Sequence, residues 1–231
     1  MTLLMENEYF SIVNITDHQH WLHERTKGIG GSDAGIICGQ SMYKTPYELW
    51  EEKTGLREAP FVTSAAIELG NALEPVMFDM FAKSQEDYVT VDTKNISLVS
   101  KKYPFMRANL DGALIDKGGI YGGLEIKTTT IHHPNMLTDW KDQVPQTYYC
   151  QILHYFIVTG FRYFILYAWI RIPYLNKVEL RQYYFSSYDE QIQADMEYLL
   201  ETEKDFWDHV EKRQKPKFLN KEILIEREET K

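Results

Sequence analysis

Cysteine is scarce in this chain: Cys38 and Cys150 are the two among 231 residues. Two are too few for a disulfide framework or a four-cysteine iron–sulfur cluster, and their spacing suits no zinc site. They are expected to be buried, reduced thiols of a cytoplasmic protein. Positive charge is also in deficit, with 25 Lys and Arg against 34 Asp and Glu, a formal net charge of −9. That balance excludes a histone-like binder that holds nucleic acid through overall charge. Nucleic acid as a substrate stays open, because charge can be segregated by surface. Long hydrophobic runs are missing as well. Residues 152–170 come closest, but Gly160 and Arg162 interrupt them, and a buried helix followed by a buried strand accounts for them better than a membrane span. Residues 1–10 carry acids where a secretory leader carries bases. There is no internal repeat, Pro/Gly/Ser linker, GxxxxGK[ST] loop or GxGxxG fingerprint.

What is present is 44% hydrophobic and 26% charged residues, a globular balance that excludes a mostly disordered chain. The length suits one compact domain. Helix signals appear at 17–27, with Trp21 and Leu22 as apolar contacts, and from Ser32 or Asp33 to Gly39. Another starts at a Thr45–Pro46–Glu48 capping box and ends at Gly55. A longer helix is expected over 64–83, with Pro75 as a kink or break. Strands follow at 88–92, 96–99, 105–110, 113–116 and 121–128. Then come a helix at 146–158, strands at 162–172 and 177–185, and an amphipathic helix at 188–212. The expected fold is an α/β (α+β) domain with a mixed central β-sheet flanked by helices. N-terminal helices (17–84) pack on a catalytic sheet (88–185), a C-terminal helix (188–212) closes it, and a tail (221–231) is mobile, so that 1–231 form a single domain.

The chemistry concentrates in Leu110-Asp111-Gly112 and Leu124-Glu125-Ile126-Lys127. Glu125 and Lys127 are two apart on a strand and share a face, while Leu124 and Ile126 point into the core. Asp111 precedes them on a strand joined by a short turn, so antiparallel pairing can bring it beside Glu125. Two carboxylates with open positions suit a hard cation such as Mg2+, which lowers the pKa of a water and neutralises phosphodiester charge. A neighbouring Lys can hold the attacking water. The bland alternative is a surface Asp and a Glu–Lys pair. Glu74 is an acid on a helix face whose neighbours Leu69, Leu73, Val76, Met77, Phe78 and Phe81 read as core. Gln151, on an aromatic helix, is either a satisfied core amide or a hydrogen-bonder to the nucleophile. Arg25 to Asp33, RTKGIGGSD, combines bases, glycines and Ser32 before a helix, which suits either an anion or a turn.

Four blocks in this order resemble the lambda-exonuclease-like, YqaJ-type phage recombination nucleases of the PD-(D/E)xK superfamily. They are R-x-x-G-I-G-G-S-D-A at Arg25 with S-x-Y-K-T-P-Y-E-L-W at Ser41; G-N-A-L-E-P at Gly70; N-L-D-G at Asn109 with L-E-I-K-T at Leu124; and P-x-x-Y-x-x-Q at Pro145 with V-T-G at Val158. The resemblance implies a restriction-endonuclease-like core and a 5′→3′ exonuclease acting on 5′-phosphorylated duplex ends. Asp111, Glu125 and the Ile126 carbonyl would bind Mg2+, with Mn2+ as an alternative. Glu74 would serve a second ion, Lys127 would position the water, and Gln151 would orient Lys127 or the water. Arg25 and Ser32 would hold the 5′-phosphate. Asn109 stands where the lambda enzyme has a Ser near the phosphate, and Met42 replaces the Pro of S-P-Y-K. The partners implied are double-stranded DNA ends, a single-strand annealing protein and copies of the chain in a homo-oligomeric ring, a trimer by preference, in a bacterial host cytoplasm and encoded by phage or prophage. The alternatives are a restriction-like or repair endonuclease and an inactive DNA-binding module. DNA would follow a basic strip at Arg25, Lys27, Lys44, Lys101, Lys102 and Arg107, and Trp50 reads as helix core.

Overall fold

The computed structural model describes residues 4–58, 60 and 63–216, and the tail 221–231 lies outside them. β1 (Phe10–Asn14) comes first, a short strand that the sequence pattern does not announce. α1 (His18–Thr26) starts where the Asp17 carboxylate accepts the His20 N–H at 2.8 Å. Its Leu22 is exposed rather than a core contact. The two-residue β2 (Ile29–Gly30) leads into α2 (Gly31–Ile37). Ser32 and Asp33 are the expected caps, but Gly30 takes that position. Asp33 lies inside the first turn and accepts the Gly30 N–H at 3.0 Å. α3 (Pro46–Lys53) has the expected capping box: the Thr45 hydroxyl accepts the Glu48 N–H at 3.2 Å and Glu48 accepts the Thr45 N–H at 2.8 Å. α4 (Ala65–Ser84) runs through Pro75 without the expected break. The helix packs on both sides of the proline, Gly70 against Thr128 and Phe78 against Gly112, and stays continuous despite the lost hydrogen bond.

β3 (Tyr88–Val91), β4 (Ile96–Ser100), β5 (Met106–Ala108), β6 (Gly112–Asp116) and β7 (Tyr121–Thr130) follow. Then come α5 (Pro134–Thr138), α6 (Gln146–Thr159), β8 (Tyr163–Ile172), β9 (Lys177–Ser186) and α7 (Glu190–Glu211). The strands do not make one central sheet. A five-stranded sheet has the order β3-β6-β7-β8-β9, and a four-stranded sheet has the order β1-β4-β5-β2. Both are mixed, because β7 pairs parallel with β8 and β2 parallel with β5. β4 lies between β1, paired along Phe10↔Ser100 to Asn14↔Ile96, and β5, so neither of its edges is left for β3. The chain therefore crosses between sheets at 109–111, and Asp111 sits at that seam.

Alternation along β8 builds a core on each face of the larger sheet. Phe164, Leu166, Ala168 and Ile170 join Leu153 and Phe156 of α6. Ile165 and Tyr167 join Met77 and Phe81 of α4. Leu69 and Val76 of α4, expected in the core, are exposed. A third cluster packs Phe206 and Val210 of α7 on Ile37, Leu49 and Trp50, and the Trp50 indole donates to the His209 carbonyl at 3.0 Å. Trp50 is thus core, as the sequence implies. Both thiols are free, Cys150 buried and Cys38 half-buried.

Two glycines set how α2 meets α6. A Cβ on Gly31 would lie 2.5 Å from Tyr155 Cε1 and 2.9 Å from Gln151 Cγ; one on Gly35 would lie 3.0 Å from Thr147 Cα. Any larger residue at Gly31 would force the helices apart. Among the described residues, no helix is long and apolar enough to cross a membrane.

Candidate active site

The β6–β7 register ends at Gly112↔Leu124, so the residue before Gly112 stands beside the residue after Leu124. Asp111 is held there, with Oδ2 accepting the Ile126 N–H at 2.6 Å. In a strand, the N–H and C=O of one residue point to the same edge, so the Ile126 carbonyl shares the Asp111 edge of β7. Glu125 is 3% exposed. Its Oε1 lies 2.6 Å from Lys127 Nζ and accepts from Gln151 Nε2 at 2.8 Å. Lys127 also donates to Gln151 Oε1 at 3.0 Å and stands over the Tyr148 ring. Gln151 is therefore a bridge between Glu125 and Lys127.

The electrostatics follow from this crowding. Burial, and then the Glu125 charge, pushes the Asp111 carboxyl well above its ordinary range. Burial and Glu125 also raise Glu74. Burial pulls on Lys127 in the opposite sense, but the Glu125 and Asp111 charges outweigh it and hold the ammonium protonated. One oxygen, Glu125 Oε2, is buried without a hydrogen-bond partner, as is Asn109 Oδ1. A buried carboxylate oxygen left open is costly unless a cation completes it.

These groups open into a cavity of about 670 Å³ that Arg25, Ser32, Glu74, Asn109, Asp111, Glu125 and Gln151 all line. Arg25 Nη2 donates to Ser32 Oγ at 3.0 Å, and its guanidinium covers Trp21. The two expected phosphate-pocket residues thus meet, across one cavity from the carboxylates. Glu74 reaches the cavity from α4, although Leu69 and Val76 of its expected core face do not pack. Among the described residues, no group of three or more His, Cys, Asp or Glu is assembled to hold a metal ion, so Glu74 lines the space without joining Asp111 and Glu125.

The basic strip is narrower than expected. Lys27 and Arg107 both pair with the buried Glu24 at 2.5 Å, and Lys44 pairs with Glu52 at 2.6 Å. Lys101 donates to the Asn7 carbonyl, and Lys102 lies over Tyr103. The cations that line the cavity are Arg25, Lys94 and Arg107.

Sequence reasoning missed Tyr155. Its hydroxyl accepts from Gln151 Nε2 at 2.7 Å and donates to the Asn109 carbonyl at 2.8 Å. The available signal was its position four residues after Gln151, which puts both on one helix face. His154 was missed too. Its ring bonds the Glu203 carboxylate at 2.9 Å and the Arg107 carbonyl at 2.9 Å. Two acceptors require both ring N–H groups, so the imidazolium is the form that fits. Burial lowers the pKa of His154, but Glu203 outweighs it and the net shift is upward.

The architecture matches solved nucleases. An alkaline exonuclease from Laribacter hongkongensis is similar at TM-score 0.57 and 15% identity, over 84% of this chain and 94% of that one. A phage-related exonuclease from Haemophilus somnus 129PT is similar at TM-score 0.54 and 11% identity, over 80% and 96%. At such identities the likeness is one of fold, that of phage-type exonucleases with the PD-(D/E)xK core. Protein YqaJ of Bacillus subtilis (strain 168), an uncharacterized protein, is 40% identical over 146 residues, 62% of this chain. The match spans 43% of that relative's length. Residues 20–162, more than half of the chain, match the YqaJ-like viral recombinase domain, and the protein belongs to that family.

Proposed function

We propose that the protein is a metal-dependent deoxyribonuclease that digests linear duplex DNA 5′→3′ from phosphorylated ends and leaves 3′ single strands. The observation that carries this reading is one cavity in which Asp111 and Glu125 face an Arg25–Ser32 pair, with the Lys127 ammonium 2.6 Å behind Glu125. The donor set fits a hard cation: two carboxylates, one with an open buried oxygen, and the Ile126 carbonyl on the same edge. Asp111, Glu125 and that carbonyl would hold Mg2+ or Mn2+, with Glu74 serving a second ion. Such an ion supplies Lewis acidity toward the phosphodiester and acidifies water. Lys127 holds the nucleophile and donates to charge growing on the phosphate. Gln151 fixes Lys127, and Arg25 with Ser32 keeps the terminal 5′-phosphate. The reading also takes in an annealing partner and a closed trimeric ring, with the described residues as one catalytic domain.

The test is digestion of linear duplex labelled at the 5′ or 3′ end, with and without Mg2+, beside covalently closed circles. The 5′ label should leave first, only with the ion, and circles should stay intact. Arg25→Ala should slow phosphorylated ends by about tenfold and leave 5′-hydroxyl ends unaffected. Cut circles would replace this reading with an endonuclease. Equal wild-type rates on the two kinds of end would remove the phosphate pocket.

A further inference from the structure

We propose that Tyr155 is a positioning residue that, together with Glu125, fixes which way the Gln151 amide faces and, through it, where Lys127 points. The inference rests on the nuclease reading for its kinetic consequence, but its geometry stands alone. A glutamine amide presents an acceptor at one corner and donors at the other, and a half-turn exchanges them. Lys127 can use only the acceptor. A tyrosine hydroxyl can face an amide in either sense, because it both donates and accepts. Here that freedom is gone: the hydroxyl proton is committed to the Asn109 carbonyl at 2.8 Å, and a carbonyl can only accept. The oxygen lone pairs are therefore what Gln151 meets, so the amide turns one Nε2 hydrogen to Tyr155 at 2.7 Å, in the same sense that its bond to Glu125 Oε1 at 2.8 Å requires, and Oε1 to Lys127 at 3.0 Å.

The result is a directed chain of hydrogen bonds from the backbone at Asn109 to the Lys127 ammonium. Burial, together with the Glu125 and Asp111 charges, raises the Tyr155 phenol well above its ordinary range, so the proton this chain needs is not lost. Its starting point is two residues before Asp111 and its end is beside Glu125. One hydroxyl thereby ties the segment at the sheet seam to the functional edge of β7. Adjacent His154 grips the Arg107 carbonyl at 2.9 Å, which steadies the same segment.

Tyr155→Phe removes the hydroxyl and keeps the ring that packs on Gly31 and Phe164. Steady-state digestion of linear duplex would be measured for wild type, Y155F, Q151A and the double variant. Y155F should lower kcat by about tenfold, with KM unchanged, as loss of a supporting partner does. The double variant should be no slower than Q151A alone, because Tyr155 acts through Gln151. A wild-type rate in Y155F, or penalties that multiply in the double variant, would overturn the proposal. The side-chain amide resonances of 15N-glutamine protein, assigned by their loss in Q151A, give a readout without DNA. The Gln151 pair should shift and exchange faster in Y155F. Should the wild type digest no DNA, the nuclease reading falls and the amide signal decides this proposal alone: a shifted Gln151 pair upholds it, an unmoved pair refutes it.

Discussion

Asp33 is buried and Asp111 half-buried at the cavity wall, yet their carboxyls are shifted in opposite directions. Burial pushes each of them up. At Asp33 the push is overcome: Lys53 lies at 2.7 Å, Arg25 at 3.7 Å, and the carboxyl is held down at about 2. At Asp111 the nearest strong influence is another carboxylate, Glu125, and the shift is well above the ordinary range. The first cluster is closed, with its charge matched inside the fold. The second is short of positive charge, because Lys127 must serve two acids and an oxygen of Glu125 stays open. The difference separates a carboxylate whose counter-charges lie within the fold from one that, in the proposed reading, takes its partner from outside the chain.

The sharpest way to break this comparison is Lys127→Ala, which removes the only ammonium bonded to Glu125 among the described residues. Digestion of linear duplex should fall by about a thousandfold in a stopped-time assay, with a far smaller change in thermal midpoint. The next effect is on stability and belongs to the closed cluster. Asp33→Ala leaves the Lys53 ammonium buried without its carboxylate and should cost about 3 kcal/mol in urea titration. In the wild type, the downward shift from 3.8 to about 2 corresponds to about 2 kcal/mol. A carboxyl lowered on folding stabilises above its unfolded value. This share is therefore fully present above pH 3.8 and lost as the pH falls toward 2, a loss that Asp33→Ala should not show. The smallest effect has the opposite sign. Asp111→Asn keeps an oxygen for the Ile126 N–H and removes the repulsion with Glu125, so it should gain about 1 kcal/mol while digestion ceases. Added Mg2+ should raise the wild-type midpoint and leave that of the variant in place. A destabilised D111N would mean that the two sites are not opposites.

The carboxylate–lysine core was legible in the sequence because its geometry is local. Glu125 and Lys127 share a face by strand alternation, and Asp111 reaches them through one short turn. The capping box at Thr45 and Glu48 is local for the same reason. What could not be read depends on partners far along the chain. Arg107 pairs with Glu24 across 83 positions while lining the cavity, so two bases expected to face DNA share one buried acid. β1 pairs with β4 in a separate sheet, and nothing within Phe10–Asn14 signals that pairing. Pro75 marked a break on local grounds, but the helix, packed on either side of it, stays continuous. Tyr155 shares a helix face with Gln151, yet its task is set by the Asn109 carbonyl on another element.

The missing side chain at Gly31 has a consequence for the reaction itself. Gly31 precedes Ser32 on α2 and touches Gln151 and Tyr155 on α6. Ser32, one of the two residues proposed to hold the phosphate, and Gln151, which bonds Lys127, thus sit on two helices that meet where the Tyr155 and Gln151 side chains seat on Gly31. In the proposed digestion this contact works as a gauge block: the distance between the captured terminus and the bond to be cut depends on how closely the Gln151 and Tyr155 side chains seat on Gly31.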